Sequence, residues 1–334
     1  MKARNIVVVK NLDSPACSIG DEAITYSGAT ASTSQSLSWI MGERHYKLFL
    51  AAVASLGVPD EAQVKVCFAL PFAAFDNGGL IKDFVRQYAG QHTVKGERRK
   101  SISFQMEVES QKQGSLAVLN HALPWGGKID RTKFRNALVV DPGGYTCEIL
   151  PIVDGKLNHN LADPGKGLGS KRIANKLQAR LERQGITLSD AQVMDVIERG
   201  ELFSRSHSTE WIQDFIVNEQ TALAEEIAAR CDKAAAGNLD LVEFILVTGG
   251  SGKTLAPYLA PYLHKPTISR NYLYDNAEGA LKYALRGGSD NTSFYLGVDI
   301  GFYNTKAYLL DPCGELSRVC FRSVVGDRTH NEKI

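Results

Sequence analysis

The chain has few features that would assign it quickly. Its six cysteines (Cys17, Cys67, Cys147, Cys231, Cys313 and Cys320) form no CxxC pair, and no histidine stands at zinc-ligand spacing from them. That argues against a zinc ribbon and against a disulfide-framed scaffold. Most of these cysteines lie inside apolar runs, so buried, reduced thiols in a cytosolic setting are expected. No apolar run approaches the roughly 18 residues of a membrane span, and Met1-Lys2-Ala3-Arg4 does not lead into a signal-peptide core. The expected location is therefore the cytoplasm, with no membrane partner. An excess of charge is also lacking: 38 Lys and Arg stand against 37 Asp and Glu, a formal net charge of +1. Direct attraction to nucleic acid or to an anionic surface has no support in that balance. With 44% hydrophobic residues and no tract of disordered composition, 334 residues suffice for a large core or two domains.

What is present is a repeated hairpin. Phe294–Val298 is a short apolar run that reads as a buried strand, followed by Asp299, Gly301, Asn304, Thr305 and Lys306 before the apolar run resumes. A carboxylate stands at the tip, a glycine admits close backbone approach, and a lysine follows seven residues after the aspartate. Backbone N–H groups in such a turn make an anion-binding concavity, the lysine can meet a phosphate, and the aspartate can hold hydrated Mg²⁺. Ala137–Leu150 repeats the pattern with Asp141, Gly143, Gly144, Tyr145 and Thr146. Either hairpin alone reads as an ordinary turn. Two of one design suggest related half-domains that share a nucleotide.

The remaining chain alternates helix and strand. Strands are expected at Asn5–Val9, Asp21–Tyr26, Val64–Leu70, Ile102–Val108, Lys156–Leu161, Leu241–Val247, Thr267-Ile268 and Ser317–Val324. Helices are expected at Leu37–Leu56 with Gly57 just beyond, Leu80–Tyr88, Gly114–His121, Ser170–Arg183, Ser189–Arg199 with Ser189 as N-cap, Thr209–Ala236, Leu255–Tyr262 and Asp275–Arg286. Glu109 ends a strand, where a carboxylate of an α/β fold faces the ligand crevice; a helix-capping or surface glutamate is the other reading. Gly167 and Gly169 belong to a glycine-rich loop that feeds a helix, an arrangement that favours anions; a plain flexible loop fits equally well. Gly249-Gly250-Ser251-Gly252-Lys253-Thr254 ends like a Walker A motif, but Val247 stands where that motif needs its first glycine. Asp13-Ser14-Pro15 and Ser32-Thr33-Ser34 read as turn and loop, Glu97–Lys100 as a solvated charge cluster, Arg286–Asn291 as a flexible linker and Asp327–Ile334 as a frayed tail.

The two hairpins resemble the phosphate 1 and phosphate 2 loops of the actin, heat-shock chaperone and sugar-kinase superfamily. Within it the chain most resembles the bacterial ParM/StbA actin-like proteins of plasmid segregation, through Leu56–Pro59, Val64–Pro71, Phe75-Asp76, Glu109-Ser110 with Gly114, and Val247–Gly252. The order differs, since the hairpin that opens the family closes this chain. The resemblance therefore implies a circularly permuted α/β two-domain ATPase fold, actin/Hsp70-like (ribonuclease H-like). Domain I would comprise 1–136 and 270–334, with the phosphate 1 hairpin, and domain II 137–269, with the phosphate 2 and adenosine loops.

The resemblance also implies chemistry. ATP (or GTP) with Mg²⁺ would meet Asp299, Gly301, Phe302, Tyr303, Asn304, Thr305 and Lys306 on one hairpin, and Asp141, Gly143, Gly144, Tyr145 and Thr146 on the other. Gly167, Gly169, Gly249, Gly250 and Ser251 would line the nucleotide. Asp299 and Asp141 would hold the metal through water, and Glu109 would orient the attacking water. The implied partners are further copies in a head-to-tail filament and a DNA-binding adaptor protein. The competing readings are a small-molecule kinase and a non-polymerising nucleotide-binding switch or scaffold on the same fold.

Overall fold

The computed structural model describes residues 17–20, 23, 37–95, 101–125, 128–130, 132–202 and 209–327. The expected strand Asn5–Val9, most of Asp21–Tyr26, the segments at Asp13-Ser14-Pro15 and Ser32-Thr33-Ser34, the Glu97–Lys100 cluster and nearly all of the tail lie outside them. The chain divides into two compact units, one from 1–129 and 273–334, the other from 130–272.

Unit 1 begins with β1 (Cys17–Ile19), α1 (Glu43–Leu56), β2 (Ala62–Leu70), α2 (Gly78–Tyr88), β3 (Gly90–Val94), β4 (Ile102–Lys112) and α3 (Ser115–Ala122). Unit 2 supplies β5 (Ala137–Pro142), β6 (Cys147–Val153), β7 (Lys156–Leu157), α4 (Lys171–Arg183), α5 (Asp190–Arg199), α6 (Trp211–Ala234), β8 (Phe244–Val247), α7 (Gly252–Leu259) and β9 (Thr267–Ile268). The chain then returns to unit 1 as α8 (Asp275–Ala284), β10 (Phe294–Ile300), β11 (Asn304–Leu310), β12 (Leu316–Arg322) and β13 (Val325–Asp327).

The two main sheets share a plan. Unit 1 orders its six strands β12-β11-β10-β2-β4-β3, and unit 2 orders its five β7-β6-β5-β8-β9. In each, an antiparallel three-strand meander is extended by parallel strands: β10 joins β2 as β5 joins β8. The meander comes first in unit 2 and last in unit 1. Each aspartate tip belongs to the inner strand of its meander.

The apolar runs are continuous because both sheet faces are covered. On β2, Val64, Val66, Phe68 and Leu70 enter the core that also holds Phe49 of α1 and Phe84 of α2, while Cys67 and Ala69 pack with Leu116 of α3 and Ala280 of α8. Gly297 of β10 admits α8 at close range, since a Cβ there would lie 2.1 Å from the Ala277 carbonyl oxygen. Helix ends follow local chemistry. Gly57 ends α1 at φ 76°, in the left-handed region, and Ser189 caps α5 in a reciprocal capping box with Gln192.

Some elements depart from expectation. The segment from Leu37 splits into a 3-10 turn, Leu37–Met41, and α1. Strand β3 pairs antiparallel with β4 without having been expected, and β7 stops at Leu157. The expected flexible linker is an ordered turn. Asp290 accepts hydrogen bonds from the Thr292 and Ser293 amides and hydroxyls and from Lys65 Nζ at 2.7 Å. Among the described residues, no helix is long and apolar enough to cross a membrane.

Candidate functional site

In unit 1 the register of β10 and β11 sets Lys306 directly opposite Asp299. Directly paired residues point to one face of a sheet, and Lys306 Nζ reaches Asp299 Oδ2 at 2.9 Å. Both side chains are buried, 9% and 5% exposed, so the pair works where water screens little. The tip is closed by the Gly301 N–H donating to the Asn304 carbonyl. A Cβ on Gly301 would lie 3.2 Å from Lys306 Nζ, so any side chain there would crowd the ammonium. Phe302 packs on Trp39, ring centroids 4.7 Å apart. Tyr303 accepts the Ser323 N–H at its carbonyl, and the Thr305 hydroxyl bonds that of Ser323 at 2.9 Å. Cys320 stands opposite Lys306 on β12; burial pushes its thiol up, with the Lys306 charge pulling the other way.

The other oxygen of Asp299 is taken by Gln113, whose Nε2 donates to Oδ1 at 2.8 Å. Gln113 directly follows β4 and was not singled out by its sequence. Glu109, four residues earlier, does not touch Asp299. It forms a two-pronged pair with Arg286 at 2.5 and 2.6 Å, and that hydrogen bonding holds its carboxyl below the usual carboxylate range. The strand runs on to Lys112, so Glu109, expected to orient water, lies three residues short of its end and pairs with Arg286.

Unit 2 builds its hairpin the same way. The Gly143 N–H donates to the Thr146 carbonyl to close the turn, and Asp141 is 7% exposed at the end of β5. Opposite Asp141 stands Glu148, 3% exposed. Gly249 (φ +78°) lies against the aspartate, for a Cβ there would come within 2.0 Å of Asp141 Oδ1. Ser251 ties the neighbouring turn to the hairpin, its N–H on the Pro142 carbonyl and its hydroxyl on the Gly143 carbonyl and Ser170 Oγ. Gly250 leaves open space at its Cβ position, and so does Gly167.

In the glycine-rich loop before α4, Gly169 is placed for close packing. A Cβ on Gly169 would lie 2.2 Å from the Gly144 carbonyl oxygen. The Ser170 and Lys171 N–H groups donate to the Gly143 and Gly144 carbonyls. This first turn of α4 therefore supports the hairpin from behind, and it holds Tyr145 and Thr146 at the tip. Lys253 of the Walker-like segment is exposed in the first turn of α7.

Chemically, each unit presents a buried aspartate beside a tight turn, and unit 1 adds a cation and an amide donor. Among the described residues, no group of three or more His, Cys, Asp or Glu side chains is placed to enclose a metal ion. A hard cation held here would complete its shell with water and ligand oxygens, as Mg²⁺ commonly does.

The comparisons with known proteins agree with this plan. Residues 2–115 match the model of the actin-like proteins' N-terminal domain. A search of the curated proteins returns no match. Among solved structures, the pCBH ParM non-polymerisable quadruple mutant superposes with a TM-score of 0.68 at 17% identity, over 84% of this chain and 86% of that one. A 15-stranded ParM filament from Clostridium botulinum gives a TM-score of 0.58 at 19% identity, over 73% and 74% of the two chains. The archaeal actin homologue Ta0583, in complex with ADP, gives 0.58 at 17% identity, over 74% and 79%. With this two-sheet plan and an actin-like N-terminal domain matched over residues 2–115, the chain has the actin-like fold shared by ParM and the archaeal actin homologue.

Proposed function

We propose that this protein is a nucleotide-dependent ATPase that assembles into filaments in the cytoplasm, as a segregation device of the ParM type. The observation that carries the reading is the Asp299–Lys306 pair at the tip of β10–β11, with Gln113 as its third member. Phosphoryl transfer to water asks a protein mainly for positioning and charge stabilisation. Lys306 supplies the charge for phosphate oxygens. Asp299 offers oxygens to a hydrated Mg²⁺, which when bound would neutralise charge developing on the phosphates. In unit 2, Asp141 and Glu148 form a buried acidic pair whose repulsion a divalent cation would relieve, with Asp141 as the group nearer the tip. The turn at Gly249-Gly250-Ser251 is read as the nucleoside side of that half-site, with Gly250 open for close approach.

In this reading Gln113 orients the attacking water and Glu109 braces β4 against Arg286. Two further parts of the proposal rest on similarity. Self-assembly follows the solved filament neighbour, and the near-zero net charge suits a protein that reaches DNA through an adaptor. The meander that completes the unit 1 sheet follows unit 2 in the chain, so we read the order of elements as circularly permuted.

The test adds Mg²⁺ and ATP, or GTP in parallel, to the full chain and follows light scattering and phosphate release together. Scattering that rises with nucleotide and decays as phosphate appears is the expected result. Phosphate release with no scattering removes the filament. Transfer of phosphate to a sugar or acid in a substrate panel replaces the reading with a kinase.

A further inference from the structure

The bond from Gln113 to Asp299 depends on a backbone feature that neither residue supplies. The Ser115 N–H returns to the Gln113 carbonyl at 2.5 Å, around Gly114 at φ 64° and ψ −51°. This is a three-residue turn of positive φ, a strained form that is rare in proteins. It stands directly between β4 and α3, and α3 starts there without a side-chain cap. The Gly114 N–H is buried and donates to Asn276 Oδ1 of α8 at 2.8 Å. The Gln113 N–H donates to the Leu70 carbonyl, also at 2.8 Å, which fixes the near side of the turn to the end of β2.

Helix α8 grips α3 at both ends. Asn276, 6% exposed, holds the turn before α3, and the fully buried Asp275 accepts from Asn120 Nδ2 at 3.0 Å and lies 3.4 Å from His121 Nε2 in the last turn. Gly279 allows this approach, since a Cβ there would sit 1.9 Å from the Leu116 carbonyl oxygen. A strained conformation persists only where its surroundings over-determine it. Here the surroundings are the Asn276 amide oxygen on the Gly114 N–H, the Leu70 carbonyl on the Gln113 N–H and the packed backbone beneath them.

We propose that Asn276 is a positioning residue: by holding the Gly114 turn it keeps Gln113 on the Asp299–Lys306 pair. The inference rests on the reading of that hairpin as the phosphate site. Without the Asn276 oxygen the Gly114 N–H loses its acceptor, the turn relaxes to commoner backbone angles, and the Gln113 amide leaves Asp299. Displacements of about 1 Å in a reacting array cost up to about 100-fold in rate.

Two measurements on the full chain test this. The first needs no nucleotide and follows the ¹⁵N side-chain amide resonance of Gln113 in Asn276→Ala and Asn276→Asp. Asn276→Ala is expected to move it toward the position of a solvent-exposed glutamine, and Asn276→Asp, which keeps an acceptor oxygen, to leave it in place. An unmoved resonance in folded Asn276→Ala overturns the proposal whatever the protein hydrolyses. Should Asn276→Ala not fold, Asn276→Ser, whose hydroxyl falls short of the Gly114 N–H, carries the same comparison. The second measures phosphate release from Mg²⁺–ATP in a cycle with Gln113→Ala. Asn276→Ala should lower kcat about tenfold, with nucleotide Kd changed by less than about twofold, and should add nothing when Gln113 is already alanine. Equal slowing in both backgrounds overturns the proposal. No phosphate release from the unaltered chain overturns the ATPase reading instead, and the resonance alone then decides on Asn276.

Discussion

The two hairpins differ at one position that decides their electrostatics. Both place an aspartate on the inner strand of a meander, both close the tip with a glycine N–H on the carbonyl three residues on, and both bury the aspartate. Across the ladder from Asp299 stands Lys306; across from Asp141 stands Glu148. One tip therefore pairs its carboxylate with an ammonium. The other sets two buried carboxylates at facing positions of the ladder. One local design thus carries a cation across the ladder in unit 1 and a second carboxylate in unit 2.

That contrast can be broken most forcefully at its charged partners. Lys306→Ala leaves Asp299 buried with, among the described residues, Gln113 alone to satisfy it, and should cost about 3 kcal/mol of stability, read as a fall in denaturation midpoint. Glu148→Gln should act in the opposite direction, raising nucleotide-free stability by about 1 kcal/mol because like charges no longer face each other, while weakening Mg²⁺-dependent nucleotide binding. Equal signs in the two variants would dissolve the distinction between the tips.

A loss smaller than that of Lys306→Ala is expected at Gly249→Ala. Its positive φ alone should cost about 2 kcal/mol, and the added methyl meets Asp141 Oδ1. Calorimetry should show weakened Mg²⁺–nucleotide binding, and unchanged affinity would detach Gly249 from the site. Smallest is Glu109→Ala, since this pair is half exposed and screened by solvent, with side chains 47% and 46% accessible. Turnover should stay within about twofold, whereas Gln113→Ala should lower it by about 10² or more. The Glu109 carboxyl is depressed in the folded state, so its small stabilisation is present above its unfolded pKa and is lost as pH falls through the lower folded value. Acid titration of wild type against Glu109→Ala should show a difference that closes at low pH. A large loss of turnover in Glu109→Ala would return the water-orienting role to it.

Much of this was readable in the residues. The hairpins announce themselves because an aspartate, glycines and apolar flanks recur at one spacing, and a turn of that kind is local chemistry. Ser189 and Gly57 mark helix ends for the same reason. What escaped depends on register and on strand length. Glu109 drew attention as an acid near a strand end, but β4 continues to Lys112, so the side chain that meets Asp299 belongs to Gln113. A glutamine before a glycine is unremarked in one dimension. Its meaning appears only when β2, β4 and β10 lie side by side. Trp39 under Phe302 is likewise a contact between distant segments, with no periodic signal to reveal it. Glycine counts do not say what a backbone approaches: in the loop with Gly167 and Gly169, Gly169 meets Gly144 while Gly167 leaves open space.

The order of strands in unit 1 bears on the chain during its synthesis. Strand β10 takes its place beside β2 after roughly 230 further residues have been made, Phe294 pairing with Val64. At about 5–20 residues per second, ribosomal output leaves that seam open for tens of seconds. All of unit 2 emerges in that interval, while β2 waits for its β10 neighbour with an apolar edge of the kind that invites aggregation. A nascent chain stalled just before Phe294 should therefore bind chaperones and resist refolding, and one extended past Arg322 should release them.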